Sequence, residues 1–221
     1  MERVIASNSS TASRKDWQLI EQENIKYFQF KWKNHLAIYS TKYGENKFLR
    51  KFEPVFLKQI HSDIIINLDS NNNRIGDGLI LQKKNIVPGL KIADCLPVYL
   101  FNDKKICIMH CGWRSIMKGI VKRAEELMGD YKYCLGASIG PCCYEIKQDV
   151  VELFNKKYKN AIIFKNQKYF LDLKTAVIKD LGNKDLLASL KLCTKCHPEY
   201  FYSYRRGDDK KRNYAIIMAE I

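Results

Sequence analysis

The sequence predicts an α/β (α+β) fold: a single domain with a mixed, largely antiparallel β core flanked by helices. Three observations carry this expectation. Short apolar runs separated by polar turns alternate with amphipathic stretches at helical spacing. At 221 residues the chain is long enough to bury one sizeable core, and nothing in it divides two. A content of 46% apolar and 12% aromatic residues excludes a disordered chain.

The elements follow in order. Residues 1–24 are polar and mixed, and are expected to form a loosely held arm or a short helix ahead of one domain at 25–221. Residues 27–30 and 35–40 read as strands around Lys33-Asn34, a first hairpin. A loop follows at 43–46, and residues 47–52 form a basic cluster with Lys47, Arg50 and Lys51, either solvated surface or the rim of an anion site. Residues 55–61 alternate and stop at His61-Ser62-Asp63, after which 64–68 resume an extended pattern. A turn-rich loop at 69–78 leads to a short buried strand at 79–81, and Pro88-Gly89 marks a turn. Residues 98–101 and 106–109 are apolar runs joined by the polar 102–105, which is how an antiparallel hairpin is written.

Ile116, Met117, Ile120, Val121, Ala124, Leu127 and Met128 then fall on one face at helical spacing, with Gly129 as the stop; the N-H groups opening that helix could hold an anion. The small residues of 135–145 suit a segment that passes close to another. Residues 147–157 and 173–181 read as helices, the second capped by Asp172 and ended by Gly182. An aromatic strand at 200–204 and a closing strand at 214–218 complete the chain.

A formal charge of +14 would suit nucleic acid, but the lysines are scattered singly among Asn and Ile. The expected partners are therefore small anions, with no nucleic acid and no membrane. No apolar run approaches the roughly 18 to 20 residues of a membrane span, and the N-terminus lacks an apolar signal core, so a cytoplasmic protein is expected, with a monomer as the default. The eight cysteines then read as thiols. Cys142-Cys143 cannot easily bridge one another. Cys193-x-x-Cys196-His197 formally matches a c-type haem attachment and half a zinc knuckle, but no second CxxC completes it, and local packing of a turn is the expected role.

Cys95 precedes the first strand of the 98–109 hairpin and His110 follows the second, so a thiol and an imidazole would lie side by side. They could be a nucleophile and its base, or two ligands of one metal ion. His61 sits at a strand break, where a single histidine is commonly structural. Read with Cys95 and His110, it completes a three-ligand set suited to Zn²⁺ with an open fourth position for water. A zinc-bound water has its pKa lowered to about 7.

Seven motifs occur in order: K-Q-I-H-S at 58–62, G-D-G-L-I at 76–80, A-D-C-L-P-V at 93–98, H-C-G-W-R at 110–114, I-G-P-C-C-Y-E at 139–145, C-T-K-C at 193–196 and F-Y-S-Y-R-R at 201–206. Together they resemble the YfiH family, also called laccase-domain or polyphenol oxidase proteins and described as purine nucleoside phosphorylases with adenosine deaminase activity. The resemblance implies zinc at His61, Cys95 and His110, phosphorolysis of adenosine, inosine and methylthioadenosine, and deamination of adenosine by attack of an activated water on C6. Phosphorolysis needs an anion site, for which Arg50, Arg114 and Arg205 are the candidates by charge and bidentate geometry. Asp94 would position a substrate group or move a proton, unless it merely caps the turn before Cys95.

Two departures from the family pattern are visible. The Gly-rich N-terminal loop is reduced to its beginning at 39–44, and Cys111 stands where Ala is more usual, adding a thiol that could compete as a ligand or sensitise the site to oxidation. The competing expectations are a metal-independent Cys/His hydrolase of amidase type, a multi-copper oxidase, for which four histidines are too few, and a binding or assembly protein.

Overall fold

Period-2 alternation within apolar strands builds the layers of this protein, seen in a computed structural model that describes residues 16–70, 72–82, 85–182 and 184–219. Strands β1 (Gln18–Gln22), β2 (Ile25–Trp32) and β3 (His35–Ser40) precede helix α1 (Glu45–Phe52). Next come β4 (Val55–Phe56), β5 (Ile65–Asn67), β6 (Gly78–Leu81), β7 (Pro88–Ile92), β8 (Leu96–Phe101) and β9 (Ile106–Cys111). Helices α2 (Trp113–Lys118) and α3 (Ile120–Met128), strands β10 (Lys132–Leu135) and β11 (Glu145–Ile146), and helix α4 (Gln148–Tyr158) follow. The chain closes with β12 (Ile162–Lys165), β13 (Lys168–Leu171), α5 (Leu173–Leu181), β14 (Asp185–Ser189) and β15 (Asn213–Ala219).

Two six-stranded sheets result, ordered β1-β2-β3-β15-β7-β4 and β14-β10-β8-β9-β6-β5, with a small third sheet β11-β13-β12. Most pairings are antiparallel; β4 with β7, β5 with β6 and β10 with β14 are parallel. Tyr99, Phe101, Ile106 and Ile108 of the second sheet pack with Phe30, Ala37, Tyr39, Ala215 and Ile217 of the first. The alternate residues Leu96, Val98, Leu100, Cys107, Met109 and Cys111 face away, against α2 to α5. Both faces of β8 and β9 are thus buried, which is why these strands read as continuous apolar runs. On the outer face of the first sheet Ile38 and Ile216 pack against Phe48 of α1.

The single α/β domain with helices flanking a largely antiparallel core matches expectation, and the 98–109 hairpin pairs Leu96 with Cys111 and Pro97 with His110. Several elements differ. Gln18–Gln22 is an edge strand paired with β2, where an arm or a short helix was expected; residues 1–15 lie outside the described residues. Residues 45–52, read only as a loop end and a basic cluster, form α1, because Gly44 turns in at φ 73° and Phe48 finds a buried seat. The long helix expected to run to Met128 is broken at Gly119, whose φ of 97° caps α2 and opens α3. Only six residues remain in α2, too few to make its N-terminus an anion site. Pro88-Gly89 opens strand β7 instead of making a turn: Pro tolerates the first strand position, and a Cβ on Gly89 would meet the Phe56 ring at 2.8 Å. Tyr200 closes a turn onto the His197 carbonyl, and residues 201–203 lie outside the sheets and lead into a 3-10 turn at Tyr204–Arg206, with Phe201 packed on Tyr39 and Phe28. The expected cap of α5 is present: Asp172 accepts from the N-H groups of Lys174 and Thr175.

Candidate active site and metal centre

Strand β9 delivers His110 to the face opposite Cys111, toward the first sheet. Asp77, fully buried just before β6, lies beside it: His110 Nδ1 is 2.9 Å from Asp77 Oδ1, and the His110 backbone N-H donates to the Asp77 carbonyl at 2.7 Å. Asp77 Oδ2 accepts from the N-H of Ile60 at 3.1 Å, the N-H of Ser62 at 2.6 Å and the Ser62 hydroxyl at 2.8 Å. One carboxylate therefore orients one imidazole and pins the loop that carries the other. His61, between its two pinned neighbours, takes φ 56°, unusual for a side chain other than Gly or Asn, and its carbonyl accepts from Lys118 Nζ at 2.8 Å.

Cys95 follows Asp94, which holds φ 86°, a conformation that costs on the order of 1–3 kcal/mol and persists where the surroundings enforce it. The enforcement is visible. Asp94 Oδ1 accepts from Thr194 Oγ1 at 2.6 Å and Oδ2 from the Arg205 N-H at 2.7 Å. Both oxygens of Asp94 are thus engaged by protein, so it brackets the Cys95 turn to the C-terminal segment.

His61, Cys95 and His110 converge, with one ligand atom from each lying within 4.8 Å of the others and the two imidazole centroids 4.9 Å apart. Gly112 makes the room: a Cβ there would meet Cys95 Sγ at 2.9 Å and His61 Cδ2 at 3.1 Å. Burial alone would raise the Cys95 thiol, but the neighbouring His110 and His61 rings hold it below its ordinary value, and the thiol together with Asp77 raises His110 despite its burial. Asp77 itself is well below the usual carboxylate range; burial opposes this, and His110 and Ser62 outweigh it. The lowered Cys95 and the raised His110 favour a thiolate beside an imidazolium when no cation is bound. One thiolate and two imidazoles are donors that suit a divalent transition metal, Zn²⁺ among them, which would take the place of that proton, and because Nδ1 of His110 lies against Asp77 the ring presents Nε2.

The triad sits in a cleft of about 610 Å³, within the range of small-molecule sites. Its lining includes Lys58, Lys91, Arg114, Arg205 and Arg212, with Asp94 the sole acid among the lining residues. Arg114 lies over the Trp113 ring at 4.4 Å, and Arg205 over Tyr144 at 4.8 Å while donating to the Glu145 carbonyl. Sequence reasoning located Arg114 and Arg205 but missed Lys58, Lys91 and Arg212. Asp77 was also missed, although it is the acid of the quoted G-D-G-L-I motif. Arg50 does not reach the cleft: it is exposed on α1, where its Nε donates to the Asn46 carbonyl. Cys111 is buried in the helix-facing core with Leu96 and Ile116, its thiol pushed up by burial, so it stands apart from the three converging ligands.

A family model described as multi-copper polyphenol oxidoreductase laccase matches residues 44–220. The chain belongs to this family, the YfiH family. It is 33% identical over 180 residues to a purine nucleoside phosphorylase of Clostridium acetobutylicum, covering 74% of this chain and 75% of the relative. It is 34% identical over 183 residues to one of Aquifex aeolicus, covering 76% and 86%. With one of Campylobacter jejuni it shares 30% over 224 residues, covering 93% and 97%. Among solved structures, YlmD from Geobacillus stearothermophilus superposes with a TM-score of 0.79 at 21% identity, covering 92% of this chain and 99% of that one. The YfiH protein of Bacillus licheniformis gives 0.77 at 21%, with 92% and 99% covered. This chain thus has the YfiH fold.

Proposed function

We propose that this YfiH-family chain is a purine nucleoside phosphorylase, acting on adenosine, inosine and methylthioadenosine, and that it also deaminates adenosine at zinc held by His61, Cys95 and His110. The observation that carries the reading is the juxtaposition of that triad with five cationic side chains in one cleft of nucleoside size. The names of the relatives support it. Zinc, when bound, would supply the charge that brings the pKa of its water to about 7.

The residues of the chain do the rest. Arg114 and Arg205 are held by Trp113 and Tyr144 and present guanidinium groups to phosphate, with Lys58, Lys91 and Arg212 adding to the field. Phosphorolysis joins a phosphate oxygen to ribose C1′ as the C1′–N9 bond breaks; the purine leaves with the electron pair and takes up the proton that hydrogen phosphate gives up. A cationic wall holds the attacking dianion against its own hydration, which is positioning and electrostatic work. Asp77 lies against Nδ1 of His110 and so leaves Nε2 to face Cys95 and the cleft. Asp94 acts by shape, fixing Cys95 on one side and Arg205 on the other.

Multi-copper oxidation does not suit the chain. Of its four histidines, His35 stacks between Trp32 and Phe101 and His197 pairs with Glu199, leaving two at the cleft. One observation favours a second reading, a metal-independent hydrolase: the thiolate-prone Cys95 beside His110, itself oriented by Asp77, is a nucleophile-base-orienter series. The deciding experiment is adenosine turnover with and without phosphate, scoring adenine and inosine separately, beside the metal content of the same sample and of Cys95→Ala. Stoichiometric zinc with phosphate-dependent adenine supports the phosphorylase; metal-free protein making neither product refutes it.

A further inference from the structure

The C-T-K-C turn that lacked a partner in the sequence has one in space. Cys142 and Cys143, in the loop before β11, reach the turn formed by Cys193 and Cys196 across some fifty residues, and all four sulfurs lie within 4.8 Å of one another. Cys196 Sγ is 3.6 Å from Cys142 Sγ and 3.3 Å from Cys143 Sγ. A tetrahedron of sulfurs about zinc, with Zn-S near 2.3 Å, has edges of about 3.8 Å. The two Cys196 separations lie close to that edge, and the 4.8 Å bound on the whole set leaves only shifts of an ångström or less to seat four ligands on one ion.

Two further observations point the same way. The Cys193 sulfur accepts backbone N-H groups, from Gly140 at 3.2 Å and from Lys195 and Cys196 within its own turn, which is how a CxxC turn stabilises sulfur that carries negative charge. Two cationic groups lie beside the turn that carries Cys193 and Cys196. Arg206, itself paired with Asp208, donates to the carbonyls of Thr194 and Lys195 at 2.9 and 3.1 Å, and the Lys174 ammonium lies within the field of Cys193. A tetrathiolate zinc centre carries a net charge of about −2, which the Lys174 ammonium would partly offset.

We propose that Cys142, Cys143, Cys193 and Cys196 form a second, structural Zn²⁺ site, closed by four protein ligands and separate from the His61, Cys95, His110 centre. Its place in the fold gives it a task. Tyr144, directly after Cys143, and Arg205, nine residues beyond Cys196, line the cleft, and Thr194 inside the turn donates to Asp94, which in turn accepts from the Arg205 N-H. The ion ties the loop to the turn, so the wall that carries Tyr144 and Arg205 is stapled in place.

The test is metal stoichiometry of the full chain, purified reduced, with zinc loaded in slight excess and the unbound metal removed. Wild type should carry two zinc ions. Cys95→Ala should keep one, and so should the Cys142→Ser/Cys196→Ser double variant. The zinc retained by the double variant reports that its fold and first centre are intact. Cobalt loading of Cys95→Ala gives an independent reading: only the second site can then produce the intense sulfur-to-cobalt charge-transfer bands of tetrahedral thiolate. Wild-type protein with one ion, unchanged in the double variant and lost with those bands in Cys95→Ala, would overturn the second site and leave the first standing. An intact mass showing the four cysteines paired as disulfides in protein isolated without oxidant would overturn it equally. One ion in wild type, kept by Cys95→Ala and lost only in the double variant, would instead support the second site and count against the first.

Discussion

Asp77 Oδ1 and His110 Nδ1 lie 2.9 Å apart, both side chains buried, and the other oxygen of the same carboxylate holds the backbone on either side of His61. The two histidines of the triad, one on a strand and one on a loop, are thereby positioned by a single acid that is not itself among the cleft-lining residues.

Asp77→Asn keeps the shape but replaces one acceptor with a donor. It should lower zinc affinity at the triad by about 10- to 100-fold, the usual consequence of losing such a partner. Competition with a chromophoric chelator measures it, and recovery in Asp77→Glu would separate charge from packing.

Gly112→Ala isolates the space the triad needs. The backbone there has φ −79°, acceptable to alanine, so the fold should survive, while the new Cβ would press on Cys95 Sγ at 2.9 Å and His61 Cδ2 at 3.1 Å. The expected result is a near-normal melting temperature with zinc lost from the triad. An alanine variant with full triad zinc would mean that the contact is relieved elsewhere.

Arg114→Gln and Arg205→Gln should each raise the KM for phosphate about tenfold or more, as loss of a charge-assisted hydrogen bond does. Arg50→Gln, on α1 and outside the cleft lining, should leave it unchanged. The phosphate dependence of adenine release is the measurement.

Removing metal separates the two readings of Cys95. Dialysis against a chelator should abolish phosphorolysis and deamination together, with recovery on adding zinc. Activity that persists in chelated protein but falls to a thiol alkylating agent would favour the hydrolase.

Asp208 gives a pH prediction near the cleft. Burial would raise its carboxyl, but the Ser203 N-H and the Arg206 guanidinium hold it below the usual 3.8. A folded pKa below the unfolded one means stability that is complete above 3.8 and lost as pH falls through the folded value. The melting-temperature gap between wild type and Asp208→Asn should therefore be constant near neutrality and close in acid.

The residues themselves determined the local features. Period-2 runs around a polar turn wrote the β8-β9 hairpin, and that hairpin brings the chain ends carrying Cys95 and His110 together. Asp172 and Gly182 bounded α5, and seven short motifs marked the family. Turn chemistry and strand alternation act over a few residues, so they are legible in sequence. Tertiary structure decided the rest: that His61 swings in at φ 56°, that Asp77 serves both histidines, that Lys58, Lys91 and Arg212 face the same cleft while Arg50 does not, and that Cys142-Cys143 meets C-T-K-C. Those meetings span from about fifteen to more than a hundred residues and depend on how two sheets stack and where the connections between strands cross. No local pattern encodes that geometry, because burial constrains which face a residue occupies and leaves open which distant residue it will meet there.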